Sequence, residues 1–407
     1  MNCFKTVKIT AMIISPPNRI QWNIGLRDNQ QCHPFNTLSR RPYKRYFRSS
    51  SSSLKNDNNQ NNYILHSHAN RSFRLDIISS SKSTTVKNFQ SLLTKRKKRV
   101  ELSQTVVEGP RIILDMLENV NTCSLVRQVI VSTERPEWID LVLSYQQKLR
   151  SNSNHRNAES LEPSNESTFH LVLGTPEVLN AISDTTTPQG IVALVDIPSS
   201  LSIHPSTSGK KSFPQMHLIL DGVSDPGNVG TLLRSSLAIG AAGVWLLPGC
   251  ADVWSPKTLR SAMGTTFQLP FVQQTGISSW QDIQKELQDL TVKELCHNEE
   301  SETQSTSTKP IIYAASMEGA SHSGSSIVSI PYYDVSWKDS ISTVVALIIG
   351  SEGNGLSDDI RKAISNGDIC PIHVPMEAGI ESLNAAVCGS VILFDYARQR
   401  CSLERSW

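Results

Sequence analysis

Short apolar runs alternate with stretches whose apolar residues recur every three or four positions over much of this chain. The short runs predict buried β-strands, and the longer period predicts helices. In the C-terminal half this alternation predicts a mostly parallel sheet covered by helices on both faces. The predicted strands of that sheet are His217–Leu220, Val244–Leu247, Ile311–Ala314, Val344–Ile349 and Ile372–Val374.

A smaller α/β unit is predicted upstream, with strands at Val129–Val131, Phe169–Leu173 and Gly190–Val195. A segment rich in Ser, Pro and Lys then separates the two units and is typical of a linker. The predicted organisation is a leader over residues 1–84, a small α/β domain over 85–197, a linker over 198–214 and a larger α/β domain over 215–400.

The N-terminal segment is strongly basic, although the formal net charge of the whole chain is only +2. Up to residue 75 the acidic residues are Asp28 and Asp57 alone, whereas Arg, Lys and Ser are abundant. Such a composition is typical of an organelle transit peptide, mitochondrial with a plastid as the alternative. A disordered RNA-binding arm is the other interpretation of this segment.

Cysteine spacing and hydropathy exclude other classes of protein. The eight cysteines form neither a C-x-x-C pair nor a Cys/His cluster, which argues against a zinc site and a disulfide framework. No run approaches the roughly 18 apolar residues that a membrane helix needs. We therefore expect no metal and no membrane association.

Two glycine- and asparagine-bearing turns follow predicted strands, where open parallel sheets place ligands. The first contains Asn228, with Arg234 six positions later; on local grounds Asn228 could equally be a helix cap and Arg234 a solvated side chain. The second, Gly350–Leu356, contains Glu352; it lacks the phosphate-loop pattern and could be a plain tight turn.

A third segment is the most specific, because Ser382 and Asn384 stand at a helix start after a loop containing Pro375. A serine hydrolase is the obvious competitor for such a serine. That interpretation is disfavoured, since Ser382 lacks the G-x-S-x-G elbow and no well-placed histidine follows it.

Together, the three segments resemble the ordered motifs of the SpoU (TrmH-like) family of RNA 2′-O-ribose methyltransferases, over Leu218 to Arg398. The resemblance implies a trefoil-knotted domain, S-adenosylmethionine as cofactor and a homodimer formed through that domain. It implies that Gly350, Val374 and Leu383 hold the cofactor. The catalytic positions that it implies are Arg234, Asn228, Glu352, Ser382 and Asn384.

Within that set, the resemblance makes Arg234 the central group, with Asn228 and Glu352 fixing its side chain and Ser382 and Asn384 lining the reacting centre. Because a guanidinium scarcely gives up its proton, the group that accepts the hydroxyl proton is left open. Two departures from the family pattern are Glu377 with Ala378 after Pro-Met, and Cys388 where alanine is usual.

The upstream unit is similar to the domain resembling ribosomal protein L30e in family members that act on large-subunit rRNA. Its cluster Lys95–Arg99 is either a solvated helix face or an RNA contact. The expected function is methylation of a ribose in organellar large-subunit rRNA. Methylation of tRNA, or a catalytically silent RNA-binding role in ribosome assembly, are the alternatives.

The leader composition predicts organellar import. A fusion of residues 1–80 to a fluorescent reporter should be found in mitochondria by microscopy, or in plastids in an organism that has them. A diffuse cytosolic signal would favour the RNA-binding arm instead.

Overall fold

The computed structural model describes residues 53–57, 62–66, 72–156, 169–198, 213–296, 309–316, 328–337, 344–377 and 382–404. These residues belong to one compact unit that begins at Ser50. The predicted leader up to residue 52 and the linker from 199 to 212 lie outside the described residues. None of the described helices is long and apolar enough to cross a membrane.

A first sheet of mixed direction has the strand order β1-β2-β3-β6-β5-β7-β4. Strands β3, β6 and β5 run parallel, whereas β7 runs antiparallel to both β5 and β4. The elements of this half are β1 (Ser53–Asp57), β2 (Asn62–His66), β3 (Ser72–Ile78), α1 (Thr84–Thr94), α2 (Arg96–Leu102), β4 (Gln104–Glu108), α3 (Pro110–Glu118), β5 (Val126–Ser132), α4 (Pro136–Arg156), β6 (His170–Gly174), α5 (Pro176–Ala181) and β7 (Ile191–Asp196).

A second sheet has the order β10-β9-β8-β13-β11-β14-β12, and every strand pair in it is parallel. Its elements are β8 (Gln215–Asp221), α6 (Pro226–Ile239), β9 (Gly243–Leu246), α7 (Pro256–Ser261), β10 (Val272–Gln273), α8 (Trp280–Cys296), β11 (Ile311–Ala315), β12 (Ile330–Pro331), β13 (Val344–Gly350), α9 (Asp358–Ser365), β14 (Cys370–His373) and α10 (Ala385–Glu404).

The central strands of the second sheet follow directly from their composition. Both β8 and β13 are near-continuous apolar runs, and almost all of their residues are buried. Strands covered on both faces need such runs, because each face packs against helices. The predicted α/β class and mostly parallel sheet are therefore confirmed, with β10 and β12 as short edge strands that apolar pattern did not predict.

The first sheet begins before residue 85, where the leader was expected to end. Strand β3 pairs in parallel with β6, through Ile77 beside Leu173 and Ile78 beside Gly174. The residues of β3 read SFRLDII and alternate apolar with polar positions, but they lie at the end of a basic, polar stretch that was interpreted as a leader throughout. Pairing with a buried neighbour supplies the hydrogen bonds that the composition alone does not suggest.

The two sheets are joined by apolar packing. Leu259 and Phe267, from the second half of the chain, are buried in the same cluster as Ile112 and Ile113 of α3. A Cβ atom built on Gly264 would lie 2.6 Å from Cγ2 of Ile112, so the two halves approach closely at this position. The packing therefore continues from one sheet unit into the other.

A buried ion pair reinforces this junction. The guanidinium of Arg99 on α2 donates to Oδ2 of Asp252 through Nε at 2.9 Å and Nη2 at 2.6 Å. Its Nη1 donates to the carbonyl oxygens of Leu92 and Leu93, and only 4% of Arg99 is exposed. Of the cluster Lys95–Arg99, Arg99 is therefore neither a solvated side chain nor an RNA contact, because its donors are already used inside the protein.

Replacing Arg99 by Met should lower the free energy of unfolding by about 3 kcal/mol, because the carboxylate of Asp252 would stay buried without its partner. Denaturant unfolding would measure the change. The matched control is Lys97→Met on the same helix, where an exposed lysine is removed and the loss should stay within about 0.5 kcal/mol. Equal losses for the two variants would show that the ion pair does not stabilise the junction.

Candidate functional site

The site residues predicted from sequence, Arg234 excepted, lie at one edge of the second sheet. Since all of its strands are parallel, the carboxyl ends of β8, β11, β13 and β14 meet at that edge. The loops that leave β8, β13 and β14 carry the three predicted motifs. Topology therefore brings together segments that are far apart in the chain.

The carboxylate of Glu352 links the three motifs. Its Oε1 accepts a hydrogen bond from Nδ2 of Asn228 at 2.8 Å, from Nδ2 of Asn384 at 2.5 Å and from the backbone N–H of Ala385 at 3.0 Å. The Nδ2 of Asn384 also donates to Oδ1 of Asn228 at 3.0 Å. One carboxylate oxygen thus holds the starts of α6 and α10 against the loop after β13.

The two asparagines are oriented by the helices that they begin. Oδ1 of Asn384 accepts hydrogen bonds from the N–H groups of Ala386 and Val387, which caps α10. This use of its oxygen turns the Nδ2 of Asn384 towards Glu352. Asn228 lies in the first turn of α6, which is capped by Asp225 rather than by Asn228 itself. The alternative of Asn228 as the cap is therefore wrong.

The loop after β13 is closed tightly on itself. Ser351 and Gly355 exchange two backbone hydrogen bonds, each of 2.9 Å. A Cβ atom on Gly350 would lie 2.7 Å from the carbonyl oxygen of Gly355, so only glycine fits there. The loop is tied to β8 as well, because the N–H of Ser357 donates to the buried carboxylate of Asp221 at 2.6 Å.

A pocket of about 240 Å³ lies beside this loop. It is lined by the carboxyl-terminal ends of β11, β13 and β14 and by the segment that leads into α10. The residues predicted for the cofactor line it, as do two of the predicted catalytic residues: Gly350, Val374, Leu383, Glu352 and Ser382. Asn228 and Asn384 adjoin the pocket through their hydrogen bonds to Glu352.

Arg234 is not brought into this network. Its side chain is exposed on α6 and makes no hydrogen bond or ion pair with another described residue. A separation of six residues turns it away from Asn228, since side chains share a helix face at spacings of three, four or seven. Asn228 and Glu352 had been expected to fix the side chain of Arg234. Within one chain they instead hold Asn384.

Residues 215–394 match the family model described as the SpoU rRNA Methylase family. The match covers every strand of the second sheet and all three motifs. This domain belongs to the SpoU family.

Similar proteins are named as rRNA methyltransferases. Over 53% of this chain, zebrafish "rRNA methyltransferase 3A, mitochondrial" is 35% identical, and the human "rRNA methyltransferase 3, mitochondrial" is 32% identical. The chain spans about half the length of these relatives, 51% and 54% respectively. The "23S rRNA (guanosine(2553)-2'-O)-methyltransferase RlmP" of Bacillus subtilis is 26% identical, over 78% of this chain and 97% of its own length.

Solved SpoU structures share the fold. The methyltransferase AviRb from Streptomyces viridochromogenes, in complex with the cofactor AdoMet, has a TM-score of 0.55 at 22% identity, over 79% of this chain and 99% of its own. An AdoMet-bound rRNA methyltransferase from Sinorhizobium meliloti also has a TM-score of 0.55, at 20% identity, over 80% of this chain and 98% of its own. Matches over 79% and 80% of this chain must include parts of both sheets. The arrangement of a small α/β unit before the SpoU domain is therefore common to these folds.

Among the pocket residues of the SpoU domain that were not selected from the sequence, two carry titratable side chains. Cys388 lines the pocket, so the departure from alanine noted in its motif reaches the predicted cofactor site. Burial raises the pKa of its thiol to about 11, which keeps it neutral at physiological pH. His373 also lines the pocket, and its Nδ1 lies 3.0 Å from Oγ of Ser329. Its place at the end of β14 was the only signal that the sequence offered.

Arg234 is exposed on α6, which packs beside α10. Oγ of Ser235 on α6 lies 2.8 Å from Oγ of Ser390 on α10, which joins the two helices side by side. Val387 and Phe394 lie one turn to either side of Ser390, and about half of each side chain is exposed. The SpoU domain therefore has the exposed Arg234 on the helix that packs against α10, and α10 carries these half-exposed apolar residues.

Proposed function

We propose that this chain transfers a methyl group from S-adenosylmethionine to a ribose 2′-hydroxyl of RNA. The observation that carries the proposal is the joining of all three SpoU motifs, through Glu352, at the rim of one pocket. A catalytically silent RNA-binding protein would have no need to keep Asn228, Glu352 and Asn384 in a shared hydrogen-bond network.

The pocket fits S-adenosylmethionine. The close approach of Gly350 to Gly355 makes a wall of bare backbone, and Val374 and Leu383 line the same space. Bare backbone offers N–H and C=O groups to an adenosine without side chains in the way. In this proposal, Gly350, Val374 and Leu383 hold the cofactor, and the trefoil knot implied by the resemblance shapes their segments.

S-adenosylmethionine held by these residues would supply a methyl group on a positively charged sulfur, and the new bond from the ribose oxygen to the methyl carbon would form as the carbon–sulfur bond breaks. The protein's own task is to align that oxygen and to remove its proton. In the proposed mechanism Ser382 and Asn384 line the reacting centre at the start of α10. Arg234 binds the adjacent RNA phosphate or stabilises the developing negative charge on the oxygen.

The position of Arg234 supports a homodimer. The exposed Arg234 lies on α6, which packs against α10, and α10 presents the half-exposed Val387 and Phe394. A second copy would cover such a surface, since exposed apolar residues of this kind mark interfaces. In the dimer that we propose, each Arg234 serves the reacting centre of the partner subunit. This explains why Asn228 and Glu352 do not contact Arg234 within one chain.

Large-subunit rRNA is the proposed substrate, and the mitochondrion the proposed location. The zebrafish and human relatives are named as mitochondrial rRNA methyltransferases, and the bacterial relative is named for 23S rRNA. The acid-poor N-terminal segment is consistent with that location. The first sheet unit is the proposed RNA-binding domain, which would grip phosphates and 2′-hydroxyls while the SpoU domain performs the reaction.

Arg234→Ala should abolish transfer of labelled methyl from S-adenosylmethionine to RNA, because the group that balances charge at the reacting oxygen is lost. Cofactor affinity, measured by isothermal titration, should stay within about twofold, since Arg234 does not line the pocket. The matched control, Arg111→Ala on α3, should keep full activity. Full methyl transfer by the Arg234 variant would remove this residue from the mechanism.

Phe394→Glu should convert the dimer into a monomer, because a carboxylate would be buried at the proposed interface. Sedimentation velocity would measure the mass of each species. The matched control is Val120→Glu, at an apolar residue of the first sheet unit that is 74% exposed, and it should remain dimeric. A wild-type chain that sediments as a monomer would contradict the proposed interface.

A further inference from the structure

We propose that Arg96 binds a phosphate of the RNA strand at the mouth of the methyl-transfer site, and that the Arg99–Asp252 pair holds it in place. This inference rests on the proposed function, since it names a residue that positions the RNA substrate. It concerns a single member of the basic cluster Lys95–Arg99, for which the sequence alone could not separate RNA contact from a solvated helix.

The faces of α2 separate the members of the basic cluster. Arg96 and Arg99 are three positions apart, so they lie on neighbouring parts of the same face. That face is fixed against the SpoU domain by the bonds from Arg99 to Asp252. Lys97 lies one position on and points about 100° away, and Nζ of Lys98 is paired with Oε1 of Glu101 at 2.8 Å.

Arg96 lies about one helical turn before Arg99, which bonds to Asp252 in the loop that follows β9. Burial raises the pKa of the Cys250 thiol to about 11, and the positive charge of Arg96 opposes this rise. The same thiol donates to the carbonyl oxygen of Leu220 at the end of β8. Arg96 is therefore close to the edge of the sheet where the motif loops emerge.

The loop after β9 is continuous with the catalytic loops. The N–H of Ala251 donates to the carbonyl oxygen of Val223 at 2.9 Å. A Cβ atom on Gly249 would lie 3.4 Å from Cα of Gly222, and one on Gly222 would lie 3.7 Å from Cβ of Ser351. Ser351 precedes Glu352, so contacts lead from the surroundings of Arg96 to the rim of the pocket.

Arg96 is chemically available for a phosphate. Its side chain is exposed and makes no hydrogen bond or ion pair with another described residue. The acidic groups of this edge are engaged elsewhere: Asp252 with Arg99, Asp225 with the N–H of Asn228, and Asp221 with the N–H of Ser357. A planar guanidinium matches a phosphate with two parallel hydrogen bonds, and phosphate contacts set the register of a nucleic acid on a protein.

Full-length Arg96→Gln and Lys97→Gln provide a matched test, with in vitro transcribed Bacillus subtilis 23S rRNA as the probe. Filter binding at several salt concentrations gives the slope of log K against log salt, which should fall by roughly 0.7 to 0.9 on loss of one phosphate contact. For Arg96→Gln we expect this fall in slope and a roughly tenfold weaker RNA affinity, with unchanged S-adenosylmethionine affinity. Lys97→Gln should lose less than half as much RNA affinity.

Equal losses of RNA affinity in the two variants would overturn the proposal, because the loss would then come from general surface charge and not from a contact specific to Arg96. Arg96→Gln placed in an Arg99→Met background should have a smaller effect than in the wild type, since the helix would no longer hold Arg96 in position. Additive effects would contradict the positioning role of the ion pair. RNA binding is measured without methyl transfer, so a wild-type chain that binds through Arg96 but transfers no methyl would refute the proposed function alone.

Discussion

The arrangement of the site depends on one carboxylate oxygen. Oε1 of Glu352 accepts three hydrogen bonds, from Asn228, Asn384 and the backbone of Ala385, and these donors belong to two different helix starts. Hydrogen bonds to a charged acceptor are stronger than neutral ones and fix geometry. The pocket wall, the start of α6 and the start of α10 are thereby held at defined positions around the place where a substrate oxygen would react.

The parallel sheet makes this meeting possible, and the junction between the sheet units extends it. Parallel pairing delivers the loops after β8, β13 and β14 to one edge, although more than a hundred residues separate Asn228 from Glu352 in sequence. The Arg99–Asp252 pair and the apolar contacts of Leu259 and Phe267 then fix the first sheet unit against the loop after β9. An RNA held by the first unit would therefore meet the pocket at a constant angle.

Much of this could be predicted from the sequence because the responsible signals are local. Fully buried strands such as β8 and β13 need continuous apolar runs, and the loop after β13 needs Gly350 and Gly355 whatever surrounds it. The burial of Arg99 was not predictable, because a basic cluster looks the same whether its members face solvent or a distant aspartate. The strand β3 was missed for a different reason, since its alternating apolar residues lie at the end of a basic stretch that was interpreted as a leader throughout.

The identity of the methylated product tests the proposed function most directly. Large-subunit rRNA treated with the purified chain and S-adenosylmethionine would be digested to nucleosides and separated by mass spectrometry. The proposed reaction gives a single class of new product, a nucleoside with its added methyl on the ribose 2′-oxygen. A methyl group on a base, or no product from a chain that binds S-adenosylmethionine, would contradict it.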